Sequence, residues 1–286
     1  DEISMLHSHF YGLLTSVRDA FPHIRLILVG DFGQLLPVMD EWDGDYQSSA
    51  ALHYLCDGKR FQLSICRRAD LQLFQMCEDT DNVDIGRFPV TEMTRLNLAY
   101  THATRIHVNE LCMKVFGGET GQVIKASSEH NHSQDVRLCI GMPIMVYHTN
   151  KKAEEFNSEM WTVTELGEES FKMQRQILDV DVEQGLGVND MPIHETLYDD
   201  FHIRCRPGYC ITVHSAQGKT FKERYTIFDW NFKYMRGRGR YVATSRAQNC
   251  SQLQIVSRFE DFANVAMLED EAWEGEGHEA KCSRLE

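Results

Sequence analysis

The chain has 286 residues, 42% of them hydrophobic and 25% charged, a balance that excludes disordered, fibrous and collagen-like classes and leaves room for two compact domains. No run is apolar enough for a membrane-spanning helix and no signal-peptide pattern opens the sequence, while nine dispersed cysteines, an odd number, read as reduced thiols of a nuclear or cytoplasmic compartment. The net charge of -14 argues against a nucleic-acid partner until it is located: residues 151–200 carry a net -9 and residues 260–286 a net -7, so the rest is net +2 and free to present a basic groove.

In chain order, residues 1–5 read as the end of a buried strand, and 6–20 as a helix with Leu13, Leu14 and Val17 on one side. Ile24 to Val29 is a continuous apolar run closed by Gly30-Asp31, the pattern of a strand buried on both faces of a parallel sheet. A helix is expected over 48–56, a short strand over 61–65 and a helix over 69–77. The stretch 79–92, with Pro89 and few core residues, is the natural hinge. A second α/β unit then opens with a strand at 96–100 and a helix at 103–115, followed by a polar loop over 117–135 and a strand at 144–147. Residues 151–200 show short, strand-like periodicity, notably 161–166 and 171–177, as a small β insert would. Strands follow at 209–214, 225–228 and 253–256, with a helix-like start at 241–246, and the acidic residues beyond about 265 read as a disordered tail.

The chemistry sits at the ends of these strands. Asp1 and Glu2 suit an ATPase, the first carboxylate holding Mg2+ and the second polarising an attacking water; a solvated charged terminus has the same composition. Asp31 and Gln34 lie in the Gly-rich loop after the next strand, where Gln34 suits sensing of a γ-phosphate and Asp31 coupling to bound DNA, and Leu35 to Val38 form a rigid exit or simple packing. Arg67, Arg68 and Arg246 are guanidinium groups of the kind that offset charge on a transferring phosphoryl, Arg246 from across an interdomain cleft, although surface ion pairing explains any one of them. The ending Gly218-Lys219-Thr220 invites a phosphate-loop reading that fails, because Val213 stands where that motif needs glycine. Gln217 and Gly218 suit a nucleotide contact from the second domain, and His214 and Ser215 contacts to DNA phosphates. Between Lys219 and Arg240, seven cations including Arg236 and Arg238 alternate with Phe221, Tyr225, Trp230, Phe232 and Tyr234, a mixture that grips single-stranded DNA or builds a solvated loop on its own core aromatics. A zinc site from His202, Cys205, Cys210 and His214 has no compact ligand spacing to support it.

In this order the segments resemble the PIF and RecD-type branch of superfamily 1 helicases. Asp1 to Met5 looks like the family's Mg2+ motif, Gly30 to Val38 like its Gly-Asp-x-x-Gln-Leu-Pro-Pro-Val, and Cys66 to Asp70 like its arginine segment. Leu98 to Asn109 is similar to the start of its second domain, Thr212 to Thr220 to Thr-x-His-Lys-Ser-Gln-Gly-x-Thr, and Tyr241 to Arg246 to Tyr-Val-Ala-Leu-Ser-Arg. Leu36 replaces a proline, Ser215 follows His214 without the intervening lysine, and Thr244 replaces leucine.

The resemblance implies an α/β fold of tandem RecA-like P-loop NTPase domains, the first truncated (1–88), the second formed by 89–150 and 201–259, with a small SH3-like β-barrel insert at 151–200 and an acidic tail at 260–286. It implies an ATP- and Mg2+-dependent DNA helicase that moves 5' to 3' on single-stranded DNA, acts at duplex junctions and works as a monomer. The phosphate loop is expected ahead of Asp1, so these residues alone are expected not to hydrolyse ATP. The competing class is a non-catalytic single-stranded nucleic-acid-binding or protein-interaction module derived from a helicase.

Overall fold

The computed structural model describes residues 2–37, 40, 42, 44–117, 121–151 and 154–265. In chain order these form α1 (Ser8–Ala20), α2 (Ala50–Leu55), α3 (Leu71–Glu78), β1 (Asn97–Ala99), α4 (His102–Phe116), β2 (Gln122–Ile124), β3 (Val136–Leu138), β4 (Pro143–Val146), β5 (Met160–Leu166) and β6 (Ser170–Arg175). There follow α5 (Asp179–Glu183), β7 (Ile193–Leu197), α6 (Phe201–Arg204), β8 (Cys205–Pro207), β9 (Cys210–Thr212), α7 (Val213–Ala216), β10 (Tyr225–Ile227), α8 (Arg238–Thr244) and β11 (Leu253–Ile255). Two compact units result, Asp1–Val83 with Lys233–Cys250, and Asp84–Phe232 with Ser251–Glu286. Their border falls inside the expected hinge, but 233–250, expected in the second domain, belongs by its contacts to the first unit.

The first unit is helical among its described residues. Its core gathers Ile3, Tyr11, Tyr46, Leu52 and Leu55. Asp40 caps α1 from a distance, its carboxylate accepting from the Ser8 hydroxyl at 2.7 Å and from the Tyr46 phenol, while Ser49 and Asp70 cap α2 and α3 through their own side chains. Two expected strands are corrected. Residues 24–29 and 61–65 pair with no strand among the described residues. In the first segment Leu26 and Leu28 pack on the core while Ile27 is 86% exposed; Phe61 and Leu63 are each 93% exposed. A continuous apolar run shows that a segment favours extended backbone, not that both its faces are covered. Leu13, expected to face inward, is exposed, and Tyr11 is the buried anchor of α1.

The second unit holds the expected α/β layer. Four parallel strands lie in the order β11-β10-β1-β9, all buried along their lengths, as a sheet with packed neighbours requires. Two carboxamides fix it. Asn97, fully buried in β1, donates to the Thr94 and Tyr209 carbonyls at 2.9 and 3.0 Å. Asn109 of α4 donates to the Cys210 carbonyl at 3.0 Å and accepts the Cys210 N–H at 2.9 Å, so the outer edge of β9 meets a side chain shaped like a peptide.

A second sheet is antiparallel, in the order β7-β6-β5-β4-β8. It is wider than the 151–200 insert, since β4 and β8 contribute its far edge. Trp161, Val163, Phe171 and Met173 alternate inward, whereas acidic side chains pair locally, Glu165 with Lys172 at 2.7 Å and Asp181 with Arg175 at 2.9 Å. Part of the stretch expected as a polar loop, 117–135, instead supplies β2 to a short hairpin with β3. Val38 and the tail beyond 265 lie outside the described residues.

Replacing Asn109 by Leu keeps the volume and leaves the buried N–H and C=O of Cys210 without partners. Unfolding free energy is expected to fall by about 2–4 kcal/mol, read from the midpoint of urea denaturation at unchanged slope.

Candidate functional site

In the first unit the site is built around Gly30. The expectation that residues 1–5 end a buried strand is corrected, because Ile3–Met5 is one turn of 3-10 helix entered from Glu2 in a left-handed conformation, φ 54°. One bond, Ile3 N–H to the Val29 carbonyl at 2.9 Å, and the Tyr11 hydroxyl on the Ile3 carbonyl at 2.8 Å hold this turn. Only glycine fits at position 30: a Cβ there would lie 2.8 Å from Ile3 Cγ2 and 2.9 Å from the Ile3 nitrogen. The turn therefore sits directly on the loop that carries Asp31 and Gln34. Asp1 lies outside the described residues.

Asp31 organises that loop. Its Oδ1 accepts the Gly33 N–H at 2.8 Å, and its Oδ2 accepts the Tyr241 hydroxyl at 2.6 Å and the Gln34 amide at 3.4 Å. Burial, then the bond to Asp31, pushes the Tyr241 phenol above its ordinary pKa. Tyr241 lies on α8, which ends at Thr244 with Ser245 and Arg246 directly after it. The Arg246 guanidinium, 2% exposed, turns back on its own helix, with Nε on the Val242 carbonyl and Nη2 on the Ser245 hydroxyl, each at 2.9 Å. Arg246 was expected to reach in from the second domain; its helix belongs to the same unit as Asp31 and Gln34. Thr244 meets the Cys77 sulfur at 3.4 Å, tying α8 to α3. Arg67 is exposed, and no hydrogen bond or ion pair among the described residues joins it to Asp31, Gln34 or Arg246. Tyr241 opens the motif-like segment Tyr241 to Arg246; its half-buried hydroxyl beside a loop carboxylate is a tertiary fact with no sequence signal beyond that position.

In the second unit, Thr212 caps α7 by accepting the Ser215 N–H at 3.2 Å, and its hydroxyl pairs with that of Ser215 at 2.9 Å. Ser215 is therefore part of the turn that presents His214, which is exposed. Gln217 follows α7 directly, and Gly218 adopts the left-handed φ of +78° that the tight exit needs. The Lys219 ammonium, expected to face DNA, donates to the Ser158 carbonyl of the β4–β5 loop, and burial lowers its pKa.

The cationic stretch divides between the units after Phe232. Lys222 pairs with Asp179, Arg224 with Glu92 at 3.0 Å and buried Arg240 with Asp81 at 2.9 Å. Phe221, Tyr225 and Trp230 are core residues. Arg236 and Arg238 are exposed and lie in the first unit, so they are not neighbours of His214 in one compact body as expected. Among the described residues no cluster of three metal-ligating side chains occurs. Cys205 is wholly buried, its thiol pushed up to about 12 by burial.

One titrating group carries no signal in the sequence. His102, the first residue of α4, stacks on His132 at 3.9 Å with 8° between ring planes. Desolvation, then the charges of His132, Arg105, His214 and Arg206, lowers its pKa to about 4.

No protein-family model matches the chain, and no curated protein is similar to it in sequence. Solved structures do match. The Pif1 helicase from Candida albicans has 16% identity and a TM-score of 0.60, over 94% of this chain and 76% of that one. Pif1 from Bacteroides bound to single-stranded DNA has 13% identity and a TM-score of 0.57, over 95% and 75%. Bacteroides Pif1 with ADP-AlF3 and single-stranded DNA has 16% identity and a TM-score of 0.56, over 97% and 75%. The likeness is one of fold: the structural neighbours of this α/β chain are Pif1 helicases.

Tyr241→Phe removes the hydroxyl that joins α8 to Asp31. The expected loss is about 1–3 kcal/mol of unfolding free energy, because the bond is to a charged group, and chemical denaturation measures it. For His102 the sign follows from a folded pKa below the unfolded one. The unfolded chain binds more protons between about pH 6.5 and 4, so stability drops as pH falls through that window. His102→Gln is expected to shrink the difference in Tm between pH 7 and pH 5.

Proposed function

We propose that the chain is the nucleotide-sensing and DNA-gripping part of an ATP-dependent motor that moves 5' to 3' on single-stranded DNA and unwinds duplexes at junctions. The observation that carries this reading is the Asp31–Tyr241 bond at 2.6 Å. It joins the loop bearing Gln34 to the helix that precedes Arg246, two segments of the helicase resemblance that lie far apart in sequence, within a fold shared with Pif1 helicases. On this reading the first unit contains part of a RecA-like domain, the parallel sheet is the core of a second, and the antiparallel sheet is an SH3-like insert.

The side chains fit a magnesium nucleotide in part. Carboxylates, an amide and two guanidinium groups occur in one unit: Glu2 to orient water, Gln34 to sense a γ-phosphate, and Arg246 with Arg67 to offset negative charge, while Asp1 is the proposed Mg2+ ligand. Gln217 and Gly218 would add nucleotide contacts from the second unit, and His214, Ser215, Arg236 and Arg238 contacts to DNA, whereas Lys219 is held by the Ser158 carbonyl. When bound, ATP supplies the phosphoryl-transfer energy that drives translocation, and Mg2+ offsets its charge. These 286 residues contain no Gly-x-x-x-x-Gly-Lys loop, the element that cradles the phosphates. That observation favours the second reading, a single-stranded DNA-binding module without turnover, for the chain taken by itself.

One preparation tests both. The chain is expected to bind oligo(dT) with an affinity that falls steeply with salt, weakened by charge reversal at Arg236 and Arg238 for every base sequence, and to show no DNA-stimulated ATP hydrolysis. Affinity unchanged across a salt titration would overturn the DNA reading. Turnover near about 1 per second, within the usual enzyme range, would place a working phosphate site among these residues.

A further inference from the structure

An open sheet has two edges, and an edge strand with unpaired peptide groups pairs with whatever chain reaches it unless the protein blunts it. In the second unit, three of the four edges of the two larger sheets are covered. β9 is met by the Asn109 carboxamide. β11 gives its Ile255 N–H to the Phe88 carbonyl at 2.9 Å. β8 is buried along its length and ends in Pro207. The fourth edge is β7, and its sequence, Ile-His-Glu-Thr-Leu, carries no lysine, proline or bulge to deter pairing.

The register decides which groups β7 leaves open. Arg175 N–H donates to the Pro192 carbonyl at 3.1 Å, and Tyr198 N–H to the Glu169 carbonyl at 3.2 Å. Bonded positions alternate in an antiparallel pair, so residues 192, 194, 196 and 198 face β6, and the peptide groups of Ile193, Glu195 and Leu197 face away from it. The Leu197 carbonyl is taken by the Asp200 N–H at 3.2 Å, which leaves three N–H groups and two carbonyls without a partner among the described residues. The same residues turn their side chains to the outer face of the sheet: Ile193 is 56% and Leu197 52% exposed, while Thr196 is buried on the inner face.

Glu195 stands between these two apolar side chains. Lys172, opposite it in β6, pairs instead with Glu165 at 2.7 Å. Glu195 accepts the Ser170 hydroxyl and has no ion pair of its own among the described residues. Asp190 before the strand and Glu168, Glu169 and Asp199 at its far end are exposed as well. Such an edge repels a nucleic-acid backbone. It also disfavours a second copy of itself, because antiparallel self-pairing centred on the strand sets Glu195 against Glu195, and like charges directly opposite destabilise a sheet. We propose that β7 receives an extended basic segment of a partner protein by strand addition, with the sequence apolar-x-Lys/Arg-x-apolar, the cation set on Glu195 and the apolar side chains on Ile193 and Leu197. Main-chain bonds to 193, 195 and 197 supply affinity, and the alternate side chains select the sequence. The edge needs neither nucleotide nor DNA to do so.

The probe is a fluorescein-labelled synthetic peptide, Ser-Val-Thr-Lys-Thr-Val-Ser, titrated against the whole chain by fluorescence anisotropy. Saturable binding is expected. N-methylation of one alternate set of its residues is expected to abolish binding and of the other set to preserve it, because only one set turns its N–H groups to β7. Replacing the central lysine by glutamate is expected to weaken binding about ten-fold, and Glu195→Lys in the chain to reverse that preference. A variant that takes the glutamate peptide is folded, which separates loss of the edge from loss of the fold. No binding of the lysine peptide, equal effects of the two N-methylated sets, or a charge preference that Glu195→Lys leaves unchanged would each overturn the proposal. On the unaltered chain, bound peptide is expected to slow amide hydrogen exchange at Ile193, Glu195 and Leu197. Unchanged exchange at all three would overturn the proposal whatever the variant does.

Discussion

The second unit depends on one side chain behaving as backbone. The Asn109 carboxamide gives Cys210 the donor and acceptor that a neighbouring strand would give, and it does so from α4, the helix that covers the sheet. Edge strands with unpaired groups invite further pairing, and a buried unpaired peptide costs more than a net hydrogen bond contributes. Satisfying β9 from the helix closes the sheet at four strands and fixes α4 against it. It also fixes the start of α7, because β9 ends where Thr212 caps that helix. The position of His214 is thus set two steps away, by an amide that touches no ligand.

The first unit is organised by fewer and longer-range contacts. It has no ladder among its described residues, and its loop geometry rests on Gly30 lying against the Ile3 turn and on Asp31 receiving the Tyr241 hydroxyl. Apolar side chains at Ile27, Phe61 and Leu63 remain in water, which at about 25 cal/mol per Å² is a substantial unrealised burial term. Local opening is expected to be easier in a region with few buried contacts than in the parallel sheet.

Much of the second unit was legible in the sequence because its signals are local. The strand at 97–99, the helix at 102–116 and the strand at 210–212 each carry their own periodicity, and the stretch 79–92, where the border of the two units falls, carries proline and little core. The first unit was less legible for a physical reason. Residues 24–29 and 61–65 have the composition of strands, but a strand is a relation between segments, and its partner is invisible in its own residues. The candidate site divided in the same way. Gly30, Asp31 and Gln34 stand out by composition, and the structure draws them together. Arg246 stands out as a residue, but nothing in Tyr241–Arg246 states which compact unit holds α8, and its contacts group it with Asp31 and Gln34. Cations between 219 and 240 were the most ambiguous, since Lys222, Arg224 and Arg240 find carboxylate partners at separations of more than 40 residues.

Lys219 connects two parts of the second unit that differ in architecture. Its ammonium reaches the Ser158 carbonyl, so the loop after α7 is fastened to the β4–β5 loop of the antiparallel sheet. The link is short and partly desolvated, so salt screens it less than it would a pair held in solvent.

The occupied helix end at Asp229 carries a consequence for competition. Most α/β sheets leave that position open to whichever anion is abundant, and free phosphate or nucleotide then shares the crevice with any intended occupant. Here the protein brings its own anion, bonded to Tyr100, Thr101 and Thr104. The entry to α4 is thus closed to a free anion by an internal one, whatever the level of nucleotide in the surroundings.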